Sequence, residues 1–279
     1  MIRVGILGGG QLAQMMTQSA ISLSIETAIF ERKSDSPASR LTHHHAVGEW
    51  DDIDTLLDFA KDCNLLTLEN EFIYASSLEK LEDAGIAVYP SSATLKTIQD
   101  KFLQKQRYHE HRLAVPKFSK VDSVEDIQEI GKTFGYPMVL KTRYGGYDGY
   151  GNASIETEQH ILPAWEKLSG TQGKLMVEAF VPFIKELAVM VVRDCDGNVR
   201  SYPVVETIQK NHICHVVRAP ANINDEIAGQ AEHLAEQAVK ALDGVGIFGV
   251  ELFLLDDGSL LLNEMAPRPH NSGHYTIEG

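Results

Sequence analysis

Near Val115-Pro116 the hydrophobic pattern of this 279-residue chain changes period, and the change limits it to two architectures joined in series. Before the proline, short β-branched or aliphatic runs alternate with amphipathic stretches of helix length. The order is "IRVGIL" (2–7), a helix opened by "GGGQLAQMM", "TAIFE" (27–31), a helix over 52–62, "NLLTLEN" (64–70), a helix over 76–84 and "IAVYP" (86–90). Such alternation implies right-handed βαβ crossovers on a parallel sheet. Residues 1–100 are therefore expected to form an open, doubly wound, Rossmann-like α/β domain. One charged helix over 92–112, ended by the proline, closes this half.

After Pro116, strand-like runs follow one another through short turns, as in "YPMVLK", "KLMVEAFV", "KELAVMVVRD" and "VRSYPVVETIQ". This reads as antiparallel α+β structure. A helix over 225–242 precedes "GIFGVELFLLDDGSLLLNEMAP", a hairpin pattern with its turn at Asp256-Asp257-Gly258.

Composition removes several function classes. The net charge is −14, with no dense Lys/Arg cluster, so nucleic acid is a poor partner. The apolar run 246–255 is interrupted by Glu251 and falls short of the roughly 20 residues of a membrane span. The first residues carry one basic side chain and run straight into a strand, which predicts no secretion signal and a cytoplasmic location. Cys63, Cys195 and Cys214 are odd in number and widely spaced, as reduced packing residues are. His43, His44 and His45 read as a solvated loop.

Four stretches carry chemistry. Gly8-Gly9-Gly10-Gln11-Leu12-Ala13 fits G-x-G-x-x-A after a strand, and Glu31 ends the next strand about twenty residues on, where a ribose-binding acid stands in NAD-binding folds. The same glycines equally permit tight helix–strand packing. In "KTRYGGYDGYGN", Lys141 closes an apolar strand, and Gly145, Gly146, Gly149 and Gly151 let backbone amides fold over an anion, with the lysine as a point charge for phosphate. Glu251 and Glu264 interrupt the two apolar arms of the hairpin. With the turn midway, positions whose numbers sum to about 515 face each other, which opposes the two acids. Facing buried carboxylates repel unless a cation intervenes, and Mg²⁺ suits oxygen ligands. Asn263 adds an amide oxygen if the strand is bulged there. Beyond two prolines, Arg268, His270, Asn271 and Ser272 suit an acyl phosphate or carboxylate. In "EAFVPFIKE", Glu178 begins a strand that turns at Pro182, where backbone groups suit an adenine edge and Glu186 suits ribose hydroxyls.

The strings "GVELF", "NEMAPRPHNSGH", "GGYDGYGN" and "GGGQLAQMM" resemble the ATP-grasp carboxylate–amine ligases, and within them the purine-pathway group that carboxylates 5-aminoimidazole ribonucleotide. The likeness runs from residue 1 to residue 279. It implies a pre-ATP-grasp domain over 1–100 and an ATP-grasp domain over 101–279, the small lobe reaching about 177 and the large lobe starting at about 178. It implies ATP held by Lys101 and Lys141, by Gly146, Tyr147, Asp148, Gly149, Tyr150, Gly151 and Asn152 over the phosphates, by Glu178, Ala179, Phe180 and Val181 at the adenine, by Glu186 at the ribose, and by Gln209, Asn263 and Glu264. In this family a histidine frequently stands where Gln209 does. Mg²⁺ falls to Glu251, Asn263 and Glu264. Tyr147, Asp148, Arg268, His270 and Asn271 surround bicarbonate and the ribonucleotide, with Glu69 or Glu71 reaching over from the first domain; Arg268, Lys141, Tyr147 and Asp148 are the catalytic candidates. The likeness further implies a homodimer through the first domain. Members usually continue into a small C-terminal domain that binds the substrate phosphate, so this domain is expected to be absent here. The alternatives are another ATP-grasp ligase, such as a formate-dependent glycinamide ribonucleotide transformylase or a biotin carboxylase-like enzyme, a Rossmann NAD-dependent oxidoreductase, or a nucleotide-binding fragment without catalysis.

Overall fold

The computed structural model describes residues 2–145, 151–169, 174–210 and 213–277. Strands β1 (Arg3–Leu7), β2 (Glu26–Glu31), β3 (His45–Val47), β4 (Leu65–Leu68) and β5 (Val88–Tyr89) form a parallel sheet in the order β3-β2-β1-β4-β5. Helices α1 (Gln11–Ser22), α2 (Ile53–Ala60) and α3 (Ala75–Asp83) connect them. Successive strand residues serve opposite faces. Leu7, Leu66 and Leu68 pack with Leu56, Ala60, Leu78 and Leu81 of α2 and α3, while Ile6 and Ile29 pack with Ala13 of α1 and Ala38. One strand was not foreseen: His45 pairs with Ile29 in β3, so the histidine run is only partly a loop.

The single helix expected over 92–112 is two, α4 (Ser92–Gln99) and α5 (Lys101–Glu110). Asp100 breaks it with extended backbone angles, φ −101° and ψ 100°. Its carboxylate accepts hydrogen bonds from the Phe102 and Leu103 amides, which caps α5.

Next come β6 (Phe118–Val121), α6 (Val124–Phe134), β7 (Met138–Thr142), β8 (Asn152–Ile155), α7 (Ile161–Ser169) and β9 (Leu175–Ala179). The strands form an antiparallel sheet, β6-β9-β7-β8, whose Met138, Leu140, Ile155 and Val177 pack with Ile127 of α6 and Ile161 and Leu168 of α7. The last sheet contains β10 (Phe183–Arg193), β11 (Val199–Ser201), β12 (Val205–Lys210), β13 (Ile213–Arg218), β14 (Gly246–Leu255) and β15 (Leu260–Ala266), with α8 (Asp225–Ala241) against it. Its order is β13-β12-β10-β14-β15, and β11 also pairs with β10. "VRSYPVVETIQ" reads as one strand in sequence; it is two, β11 and β12, both paired with β10 and separated at Pro203, which has no N–H to give a ladder.

Candidate functional site

The two antiparallel sheets wall a cavity of about 650 Å³. Into it project Lys101 from the first turn of α5, Lys141 from β7, Asn152 from β8, Glu186 from β10, Gln209 from β12, Glu251 from β14, and Asn263 and Glu264 from β15. Arg268, His270 and Asn271 follow β15, and Glu71 enters from the loop after β4.

The register of the last hairpin explains how adjacent residues share one wall. Val250 pairs with Met265 and Leu252 with Leu262, so between these pairs β14 has one residue, Glu251, and β15 has two, Asn263 and Glu264. This is a β-bulge. Val250, Leu252, Leu262 and Met265 all face the core, which turns Glu251, Asn263 and Glu264 to the cavity. Asn263 Nδ2 donates to Glu251 Oε2 at 3.3 Å.

Charge is arranged around this step. Lys101 forms an ion pair with Glu264. Burial presses the Lys101 pKa down, but Glu264, Glu178 and Glu251 outweigh it and the net direction is up. Enclosure by protein opposes ionisation of Glu264, but Lys101, Lys141 and Lys105 hold its carboxyl below the usual range, although 41% of the side chain remains open to the cavity. Glu251 moves the opposite way, raised by burial and by repulsion from Glu264 and Glu186. Among the described residues no three His, Cys, Asp or Glu side chains cage an ion alone. Two carboxylates and an amide oxygen are the partial ligand set that Mg²⁺ takes when phosphates and water complete its shell, and the strain on Glu251 is of the kind such a cation relieves.

Beneath the cavity floor, Glu178 lies 2.9 Å from Lys141 Nζ and 3.3 Å from Lys105 Nζ. Burial opposes its ionisation, and the two lysines lower its pKa against that. Its carboxylate is thus turned to the lysines, and none of residues 178–181, which the sequence assigns to an adenine, lines the cavity. In that segment the Ala179 and Phe180 amides donate to Lys117 O and Pro137 O, and Val181 O accepts from Phe183 N.

Arg268 is strapped to Glu71, its Nε and Nη2 both reaching the carboxylate. His270 Nε2 stands 3.5 Å from Glu251 Oε1, and its Nδ1 meets Ser272 Oγ at 2.8 Å. Burial first, then Arg268, lowers the His270 pKa to about 4, so the ring is neutral at pH 7. Its position over β14 needs a glycine below, since a Cβ on Gly249 would stand 2.5 Å from His270 Cβ. Asn271 Oδ1 meets His274 Nε2 at 3.2 Å.

Of the two acids in "LENEF", Glu71 lines the cavity, whereas Glu69 is 8% exposed and fills the space beside Gly8 and Gly10. A Cβ on Gly10 would come within 2.5 Å of Glu69 Oε1. Glu31 Oε2 accepts from the Gly9 amide at 2.9 Å. The glycine loop is therefore packed by the protein's own acids, and the amide a pyrophosphate needs is taken by the residue that the NAD alternative assigned to ribose. Gly151 has φ +85° and accepts at its carbonyl from Thr142 N. Gly146, Tyr147, Asp148, Gly149 and Tyr150 lie outside the described residues.

Sequence reasoning missed two groups. Asp100 takes Arg143 in a two-pronged ion pair and Tyr144 Oη at 2.7 Å, tying the stem of the glycine-rich loop to α5. Gln104 and Lys105, both 2% exposed, reach the β15 backbone. A signal existed: Lys101, Gln104, Lys105 and Tyr108 recur at helical spacing on one face of α5.

Residues 106–279 match the ATP-grasp domain family and residues 1–99 the ribonucleotide synthetase preATP-grasp domain. The chain belongs to the ATP-grasp family. It is 45% identical over 279 residues to the phosphoribosylaminoimidazole carboxylase of Ogataea methanolica, an alignment covering 99% of this chain and 51% of that protein. It is 38% identical to the N5-carboxyaminoimidazole ribonucleotide synthase of Mycobacterium leprae, over 99% of this chain and 65% of that one. The crystal structure of N5-carboxyaminoimidazole synthase from Aspergillus clavatus in complex with ADP and 5-aminoimidazole ribonucleotide superposes with a TM-score of 0.92 at 38% identity, over 100% of this chain and 73% of that one. The chain spans about half the length of the first curated relatives it matches.

Proposed function

We propose that this chain carries out the ATP- and bicarbonate-dependent carboxylation of the exocyclic amine of 5-aminoimidazole ribonucleotide, releasing ADP and phosphate in purine biosynthesis. The observation that carries this reading is the bulged hairpin, which brings two acids and an amide together in a cavity that also holds Lys101, Lys141 and Arg268. The names of the relatives support the choice of acceptor.

In the first step a bicarbonate oxygen bonds to the γ-phosphorus of ATP while the bond to the β,γ-bridging oxygen breaks, giving carboxyphosphate and ADP. Such transfer depends on positioning and charge neutralisation rather than on a covalent enzyme intermediate. Lys101 and Lys141 face the transferring oxygens, and Glu178 keeps Lys141 oriented. Glu251, Asn263 and Glu264 would hold Mg²⁺, which supplies further neutralisation of the phosphoryl charge when bound. Arg268, oriented by Glu71, holds the carboxyphosphate, with His270 and Asn271 beside it. In the second step the exocyclic nitrogen bonds to the carbonyl carbon, phosphate leaves, and the proton from nitrogen passes to the departing phosphate. Tyr147 and Asp148 are assigned to the ribonucleotide, and the adenine to the segment 178–181 with Glu186 and Gln209 near the ribose.

ADP release with ATP and Mg²⁺ tests the reading. It should require bicarbonate and rise on adding 5-aminoimidazole ribonucleotide; stimulation by formate and glycinamide ribonucleotide instead would make this a different ATP-grasp ligase. We also propose a cytoplasmic homodimer joined through the N-terminal domain, supported by the exposure of Ile2, Ile21 and Leu23 on that domain and by cysteines that are all unpaired. Light scattering on the protein and on Leu23→Asp checks the dimer.

A further inference from the structure

Strand β15 lies at the edge of its sheet, yet its outer side is covered. Leu262 N donates to Ala114 O at 2.8 Å. Lys105 Nζ donates to Asn263 O at 2.9 Å. Gln104 then treats Met265 as a neighbouring strand would, accepting from its N–H at 3.2 Å and donating to its C=O at 3.3 Å. Three of these four bonds come from side chains of α5, and both side chains are almost wholly buried.

The pattern of these bonds records the bulge. Backbone groups of a strand alternate between its two sides. Leu262 and Met265, three residues apart, nevertheless both turn their amides away from β14. One extra residue between them makes that switch. A register slip that removed the bulge would carry the outward groups to the other side and turn one of Asn263 and Glu264 into the core. Gln104 and Lys105 satisfy the outward groups only in the bulged register. Left without them, the Asn263 carbonyl and both Met265 groups would be buried and unpartnered, which native backbones avoid. The other contact of Lys105, to Glu178, does not by itself require a lysine there, because Glu178 already has Lys141.

We propose that Gln104 and Lys105 are positioning residues for the divalent-ion site, holding β14 and β15 in the two-against-one register that turns Asn263 and Glu264 together toward Glu251. This rests on the reading of those three residues as ion holders. Neither α5 side chain touches the ion; each acts through the backbone of a residue that does, or of its neighbour.

The test is ADP affinity by calorimetry, with Mg²⁺ and with EDTA, for the wild-type chain, Gln104→Met and Lys105→Met. Both substitutions keep length and apolar volume and remove the backbone bonds; Lys105→Met also removes the ion pair with Glu178, so Gln104→Met isolates the backbone contribution. Partners that orient ion ligands typically change ion affinity by about 10–100-fold, and a loss of that order is expected in the Mg²⁺-dependent part of ADP affinity. Affinity in EDTA should stay at the wild-type value. Mn²⁺ titration followed by electron paramagnetic resonance should show the same weakening, and amide exchange at Met265 should accelerate in Gln104→Met. If one variant fails to fold, the other carries the test. A folded variant with the full Mg²⁺ effect overturns the inference, as does an equal loss with and without the ion, which marks general damage to the cleft. A wild-type chain whose ADP affinity ignores Mg²⁺ overturns the ion-site reading, and this inference with it.

Discussion

Glu178→Gln should destabilise the fold in a manner that pH reveals. The Glu178 side chain is 4% exposed and stands between Lys141 and Lys105. The substitution keeps volume and leaves two buried ammonium groups without their anion, and breaking a buried pair in this way costs about 3–5 kcal/mol. Part of that loss is fixed by Lys105, whose side chain is 3% exposed and whose pKa burial pulls down to about 8 even with Glu178 beside it. An unfolded lysine titrates near 10.4. A folded value below the unfolded one penalises folding below pH 10.4, and the penalty fades as pH rises toward that value. Without Glu178 the folded pKa should drop further, because the largest opposing charge is gone. At pH 9 the folded wild type and the variant then both hold Lys105 neutral, and its share of the difference vanishes. At pH 7 the wild type keeps it charged while the variant's lowered pKa favours the neutral form, a difference of at most the one-unit gap from pH 7 to about 8, about 1.4 kcal/mol. Urea unfolding followed by tryptophan fluorescence should therefore give a larger destabilisation at pH 7 than at pH 9, by up to about 1.4 kcal/mol. A difference independent of pH, or one that grows on raising it, would refute the assignment of Lys105 to this carboxylate.

Glu264→Gln should lower Mg²⁺-dependent ADP release by at least about 10²-fold while circular dichroism shows an intact fold. Asp100→Asn should cost about 3–5 kcal/mol in urea unfolding at pH 7, since the carboxylate is buried against Arg143. Burial opposes the Asp100 charge, but the bonds from Arg143 and Tyr144 lower its pKa overall. Its stabilisation is therefore present above the ordinary carboxylate range and lost as pH falls through the depressed value, and the gap between wild type and variant should close in acid. Gly249→Ala should displace His270, whose Cβ would lie 2.5 Å from the new methyl. Bicarbonate-dependent ADP release should fall and calorimetric ADP affinity should hold.

Legibility in the sequence followed the range of the forces involved. Strands β1, β2, β4 and β5 were readable because each is an apolar run, with a helix after all but β2, whereas the short His45–Val47 strand was not; the facing of Glu251 and Glu264 was readable because the turn at Asp256–Gly258 is local to both. The bulge was readable only as a condition for Asn263 to join them. The break at Asp100 was hidden among helix formers, and the Arg143 that holds its carboxylate stands 43 residues away. Gln104 and Lys105 look like surface residues of a charged helix; what buries them is a strand edge about 160 positions further along. Glu69 and Glu71 could not be told apart because their difference is one of face, set by which of them meets the glycines after β1.

The step in β15 makes chain length, counted in single residues, part of this cavity's composition. Losing either Asn263 or Glu264 would restore an even ladder from Leu260 to Ala266 and leave one oxygen-bearing side chain opposite Glu251 where there are now two. The exposed turn after β14 can drift in side chains with little consequence. A single-codon deletion a few residues later changes what the protein can hold.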